Sequence, residues 1–124
     1  FLDTSSASPV RRYTPPGADV DSVIDVRAIL QQPHREVDAA TIPPFLLPAK
    51  GRYGLRDYEK VFCADPRGEN IFDVRGIDRT KGCVVVVRPD QFVANVLPLD
   101  AYGELAAFFD AFMLAPVPAA GALA

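Results

Sequence analysis

The reactive side chains of this 124-residue chain are few and far apart. His34 is the only histidine, so a serine–histidine nucleophile could be assembled in just one way. Ser5, Ser6, Ser8 and Ser22 all precede it, but no spacing brings any of them to His34. That residue sits in a polar stretch bounded by prolines, where a solvated or structural histidine is the simpler reading. Cys63 and Cys83 form no Cys-x-x-Cys pair, which leaves no local dithiol redox centre and no zinc knuckle. The valines after Cys83 predict a buried, inert thiol. Asp65, Glu69, Asp73 and Asp78 run through a loop without the closing glutamate of a calcium-binding loop. Gly51, Gly54, Gly68, Gly76 and Gly82 make neither a dinucleotide fingerprint nor a Walker loop. The sequence therefore predicts no catalytic, cofactor-binding or metal-ligating residue.

What remains is recognition chemistry. Arg11-Arg12 and Arg75/Arg79 could face an anionic surface, yet aspartates stand close by and salt bridges are the more economical use. Arg88-Pro89-Asp90-Gln91 lies between two apolar runs. Proline suits the second position of a type I turn and aspartate the third, so the segment predicts a hairpin turn whose charges could also meet a partner. Phe45, Leu46, Leu47, Tyr53 and Tyr58, within residues 43–62, could form an exposed apolar patch or pack onto a core.

Composition limits the setting. The length allows one domain at most. An apolar fraction of 49% and a charged fraction of 23% are those of an ordinary globular protein. A net charge of −3 offers no basic stripe for nucleic acid. No apolar run reaches membrane-spanning length, and no secretion signal opens the chain. The expectation is a soluble, cytoplasmic protein.

The elements that would position these residues read as follows. Residues 1–17, rich in Ser, Pro and Arg, predict an irregular connector. Residues 22–30 alternate, with one wholly apolar side, and predict a strand. The prolines of 33–51 forbid a single helix and leave room for a helical turn near Arg35 to Ala40. Leu55, Tyr58, Val61 and Phe62 stand at helical spacing. Cys83 to Val87 lacks alternation and predicts a strand buried on both faces. Phe92 to Leu97 is the returning strand. Asp100 can cap a final helix with an apolar stripe of Leu105, Phe108, Phe109 and Phe112. Residues 114–124 predict a disordered tail.

That order, with a helix-bearing parallel crossover and then a hairpin, is β-α-β-β-α. The fold class is α/β, with a mixed sheet, and it resembles the C-terminal portion of the thioredoxin fold. A strand buried on both faces needs a neighbour on each edge. The expectation is that a first strand and helix preceding Phe1 complete the sheet and that the chain is part of a longer polypeptide.

Several separated blocks carry a resemblance: SPVRRYTPPGADVDSVIDVRAILQQPHRE, GRYGLRDYEKVFCAD, IFDVRGIDR and VVVVRPDQFVANVLPL. In order and spacing they resemble the C-terminal domain of FAD-dependent phenol 2-monooxygenases, bacterial 3-hydroxybenzoate 4-monooxygenases among them. The resemblance runs from about Ser8 to Met113. It implies a thioredoxin-like C-terminal domain over 18–113, without a redox dithiol, that serves structure and homodimerisation. It further implies a parent flavoprotein that uses FAD, NADPH and O₂ to hydroxylate a phenolic ring. The FAD and substrate domains of that parent would lie in its N-terminal part and be this domain's partners, and neither cofactor would bind here. Two other readings stay open: a stand-alone thioredoxin- or peroxiredoxin-like thiol protein acting through Cys63 or Cys83, and a protein-binding adaptor using residues 43–62.

Overall fold

Four consecutive β-branched valines favour extended backbone, and Val84–Val87 is a strand (β5). It pairs antiparallel with Val93–Leu97 (β6), opposing Val84 to Leu97, Val85 to Val96, Val86 to Asn95 and Val87 to Val93, with a bulge at Val86/Val87. The Arg88–Gln91 turn forms as expected. The Gln91 N–H donates to the Arg88 carbonyl at 2.9 Å and the Arg88 N–H to the Phe92 carbonyl at 2.8 Å. Gln91 has φ 72°, the left-handed residue that follows the turn in three-residue hairpin loops. β5 is not buried on both faces. Val84 and Val86 are half-buried, whereas Val85 and Val87 are 42% and 51% exposed. The sequence is apolar on both faces, but among the described residues β6 is the strand that β5 pairs with.

This computed structural model describes residues 1–116. It confirms an α/β chain of short helices and small sheets, with corrections to the element order. The strand expected over 22–30 is confined to Ala28–Leu30 (β1). Its parallel partner is not the valine strand but Val61–Cys63 (β4), in the register Ala28–Val61, Ile29–Phe62 and Leu30–Cys63. The helix expected around Leu55 to Phe62 is absent. Ala49–Lys50 (β2) and Leu55–Arg56 (β3) instead form an antiparallel hairpin. Its turn contains Gly51 and Gly54, both with positive φ. The apolar spacing fitted a helix, but left-handed glycines break one, and the backbone groups of β4 are taken by β1. Among the described residues, three two-stranded sheets replace one mixed sheet.

Residues 1–17 are not an irregular connector. Pro9–Tyr13 is a helix (α1), with proline in its first turn and Ser8 as N-cap. Ser8, Pro9 and Val10 are the most deeply buried side chains described. Ile71–Val74 forms one helical turn (α2), capped by Asn70, where a loop was expected. The final helix, Tyr102–Asp110 (α3), lacks the Asp100 cap: Ala101 is the N-cap and no side chain bonds there. Leu105 is buried, Phe108 and Phe109 are half-buried, and Phe112 lies beyond the helix end, exposed. α3 packs against α1. The Tyr13 hydroxyl donates to Asp110 Oδ1 at 2.5 Å, Arg12 pairs with Asp110 Oδ2 at 2.6 Å, and Phe1 stacks on Tyr102 at 4.8 Å. Of the expected tail, Leu114 to Pro116 have no regular structure. Residues 117–124 lie outside the described residues.

Candidate functional site

The densest charge cluster among the described residues centres on a lysine, Lys60, that no sequence pattern singles out. Lys60 precedes β4, and its carbonyl accepts from the Ala28 N–H at 2.9 Å, so strand pairing fixes its backbone. Its side chain turns inward and the residue is 3% exposed. The ammonium pairs with both Asp21 and Asp25. Lys50 of β2 meets Asp21 at 2.7 Å and Asp57 at 3.0 Å, which ties the β2–β3 hairpin to the same cluster. Val20, Ile24, Val26, Phe45 and Pro48 wall the Asp21–Lys60 pair around a cavity of about 10 Å³, room for a single water at most.

Titration in this cluster runs away from neutrality. Burial alone would raise the Asp21 and Asp25 carboxyls, but lysine hydrogen bonds outweigh it and hold both below the usual carboxylate value, with Arg27 adding to the effect on Asp25. Burial would lower Lys60, and its two aspartates raise it instead. Lys50 is raised by its hydrogen bonds to Asp21 and Asp57. A general acid or base works best with a pKa near the operating pH. These groups are locked charged, so the cluster is a clamp rather than a proton-transfer site.

The clamp supports an arm. β2 and β3 project the turn Gly51-Arg52-Tyr53-Gly54, held at its base by Asp19 Oδ1 accepting from the Gly51 N–H at 3.1 Å and by Arg56 Nη1 donating to the Leu47 carbonyl at 2.5 Å. The apolar patch expected from residues 43–62 divides here. Leu47 is buried and Phe45 and Leu46 are half-buried, while Tyr53 and Tyr58 are exposed. The Arg52 guanidinium sits 5.6 Å from the centroid of the Tyr53 ring.

The other singled-out residues are dispersed. His34 is exposed on a 3-10 turn, His34–Glu36. Ser8 is buried at α1, its Oγ donating to the Leu2 carbonyl at 2.7 Å, while Ser6 and Ser22 are exposed and Ser5 Oγ accepts from Ala7 N–H. Cys63 and Cys83 are free thiols, both only half-buried. That corrects the expected burial of Cys83, which lies just outside a strand with one open face. Asp65 bonds Arg67, Asp73 bonds Arg79, and Asp78 accepts from the amides of Thr80 and Lys81. Glu69 is exposed, as is Arg75. No group of three or more metal-ligating side chains converges among the described residues. Arg11 pairs with Asp3. Arg88 pairs with Asp90 at 2.5 Å and lies 5.7 Å from the Phe92 ring centroid.

Residues 1–117 match the family described as the phenol hydroxylase C-terminal dimerisation domain. The chain belongs to this family. It is 54% identical over 117 residues to a 3-hydroxybenzoate 4-monooxygenase of Comamonas testosteroni, covering 93% of this chain and 18% of that protein. It is 37% identical over 123 residues to the FAD-dependent monooxygenase terD of Aspergillus terreus (strain NIH 2624 / FGSC A1156), covering 96% of this chain and 20% of that protein. The chain thus spans about a fifth of the length of the relatives it matches.

The residues described do not fit FAD, the cofactor in the second relative's name. A dinucleotide is held where a glycine-rich turn leads from a strand into a helix N-terminus. Here α1, α2 and α3 begin at Ser8, Asn70 and Ala101 caps. The left-handed glycines 17, 51, 54, 76 and 82 serve turns elsewhere. No helix of the described residues is long and apolar enough to cross a membrane.

Proposed function

We propose that this dimerisation domain is the non-catalytic structural module of a flavin-dependent aromatic-ring monooxygenase. The parent polypeptide hydroxylates a phenolic ring, of the phenol or 3-hydroxybenzoate type, with NADPH and O₂. FAD, NADPH and substrate bind in its N-terminal domains, which are this domain's partners in the same chain. The observation that carries the reading is the match over residues 1–117 to the dimerisation family, joined to 54% identity with a 3-hydroxybenzoate 4-monooxygenase. The side-chain chemistry agrees with it, because the buried ionisable groups are consumed in ion pairs that hold the fold.

In this reading the thioredoxin-like part spans residues 18–113, with α1 packed onto its last helix, and further sheet and helix from the parent cover the open valine face of β5 and β6. The test uses the full-length polypeptide: flavin content, NADPH oxidation and product formation with 3-hydroxybenzoate and with phenol. His34→Ala, Cys63→Ser and Cys83→Ser should each keep kcat within about threefold, the scale of ordinary surface changes. A hundredfold loss of kcat in a folded, flavin-loaded variant would overturn the assignment of chemistry to the other domains.

A further inference from the structure

We propose that the β2–β3 arm is the element through which this domain meets a second copy of itself. The inference rests on the reading of the chain as a dimerisation domain and adds the surface. Two apolar surfaces compete for that role. One is the β5–β6 hairpin, whose face carries Val85, Val87, Val93 and Val96, 42%, 51%, 60% and 57% exposed, and whose turn end adds Phe92 at 68% with Arg88 over its ring. The other is the arm, with Tyr53 at 79%, Leu55 at 71% and Tyr58 at 65%.

Their compositions differ in a way that assigns them. The hairpin's face is all valine, which is what the inside of a domain looks like, and its one arginine–aromatic pair, Arg88 and Phe92, sits at the turn end. Interfaces are instead enriched in tyrosine and arginine, and their energetic anchors are drawn from those types. The arm supplies both, with Arg52 already stacked against Tyr53. It also carries both signs of charge around the rings, Arg52 against Glu59, both exposed. A two-fold contact needs this, since each surface must complement itself.

The clamp beneath the arm is the second, independent observation. Exposed tyrosines on a mobile loop would lose conformational freedom on association, and a pre-organised arm avoids that cost. Lys50 binds Asp21 and Asp57 at the root, Asp19 holds the Gly51 amide, and Arg56 holds the Leu47 carbonyl. A buried ionic cluster is an expensive way to fix a solvent loop. It is a reasonable way to aim an anchor.

The experiment places a photoreactive benzophenone amino acid at Tyr53 of the full-length polypeptide and irradiates it. The expected product is a covalent species of twice the subunit mass, with the cross-link joining two arms. A cross-link within one subunit, or none, while the wild type sediments as a dimer, overturns the arm assignment and leaves the dimerisation reading standing. A monomeric wild type overturns both. Independently, the triple change Tyr53→Ser, Leu55→Ser, Tyr58→Ser should raise the dimer dissociation constant at least about 100-fold, as loss of interface anchors does. Val85→Thr should leave it within about threefold. Equal dimer affinity in the triple variant and the wild type would overturn the proposal.

Discussion

Replacing Lys60 with methionine keeps the buried hydrocarbon stem and deletes the ammonium that Asp21 and Asp25 share. Removing one partner of a buried ion pair costs about 3–5 kcal/mol, because the other charge is stranded. Here the cost is smaller. Asp21 retains Lys50 at 2.7 Å, and Asp25 is partly exposed and retains Arg27 at 3.1 Å. A loss of about 2–3 kcal/mol follows for the β1/β4 unit, which converts to roughly 30- to 150-fold in an opening equilibrium. Amide hydrogen exchange in the full-length polypeptide reads this locally. The Ala28 and Ala64 amides, which bond the Lys60 and Leu30 carbonyls at 2.9 Å, should exchange faster by that factor. The β5–β6 amides, in a separate ladder, should change by less than about threefold. Unchanged β1/β4 protection, or an equal loss across every strand, would refute the clamp.

The same ions set a pH window. Asp21 and Asp25 have depressed folded values, so their contribution is full above about pH 4 and is lost as pH falls through those lower values. Lys60 is raised, so its share is full below about pH 10 and fades as pH rises through the folded value. A pH series of β1/β4 protection, corrected for intrinsic exchange, should be flat between these limits, and the methionine variant should lose the part of the alkaline arm that Lys60 supplies while Lys50 keeps its own. Gly82 has φ +63°, and an added Cβ would lie 2.9 Å from Leu99 Cδ1. The Leu99 side chain can move aside, but Gly82→Ala puts alanine in the left-handed region and should still destabilise the hairpin entry by about 1–2 kcal/mol, seen as a lower denaturation midpoint, and a neutral result would refute the left-handed backbone at Gly82. Gln91→Gly should stabilise the hairpin by about 0.5–1 kcal/mol, seen as a higher denaturation midpoint, since glycine takes the left-handed conformation without steric cost.

What could be read in advance was local. Val84 to Leu97 declares its hairpin through valine propensity and a proline–aspartate turn held within fourteen residues, and the last helix shows its phenylalanine stripe. Residues 55–62 misled because Leu55, Tyr58, Val61 and Phe62 fit helical spacing equally well, and only pairing, of Leu55–Arg56 with Ala49–Lys50 and of Val61–Cys63 with Ala28–Leu30, decides for strand. α1 was invisible as core because its burial depends on α3, near the other end of the chain. Lys60 carried no signal at all, since a lysine beside glutamate normally faces solvent, and its partners Asp21 and Asp25 are distant in sequence. The family, by contrast, was legible, because several blocks agreed in order across most of the chain.

The central claim is that this domain joins subunits and performs no chemistry. The most direct measurement is the sedimentation mass of the full-length polypeptide beside the same polypeptide ending before Phe1, both checked for bound flavin. The account expects a dimer for the first and a flavin-loaded monomer for the second. A truncated protein that keeps its flavin and still sediments as a dimer would contradict it.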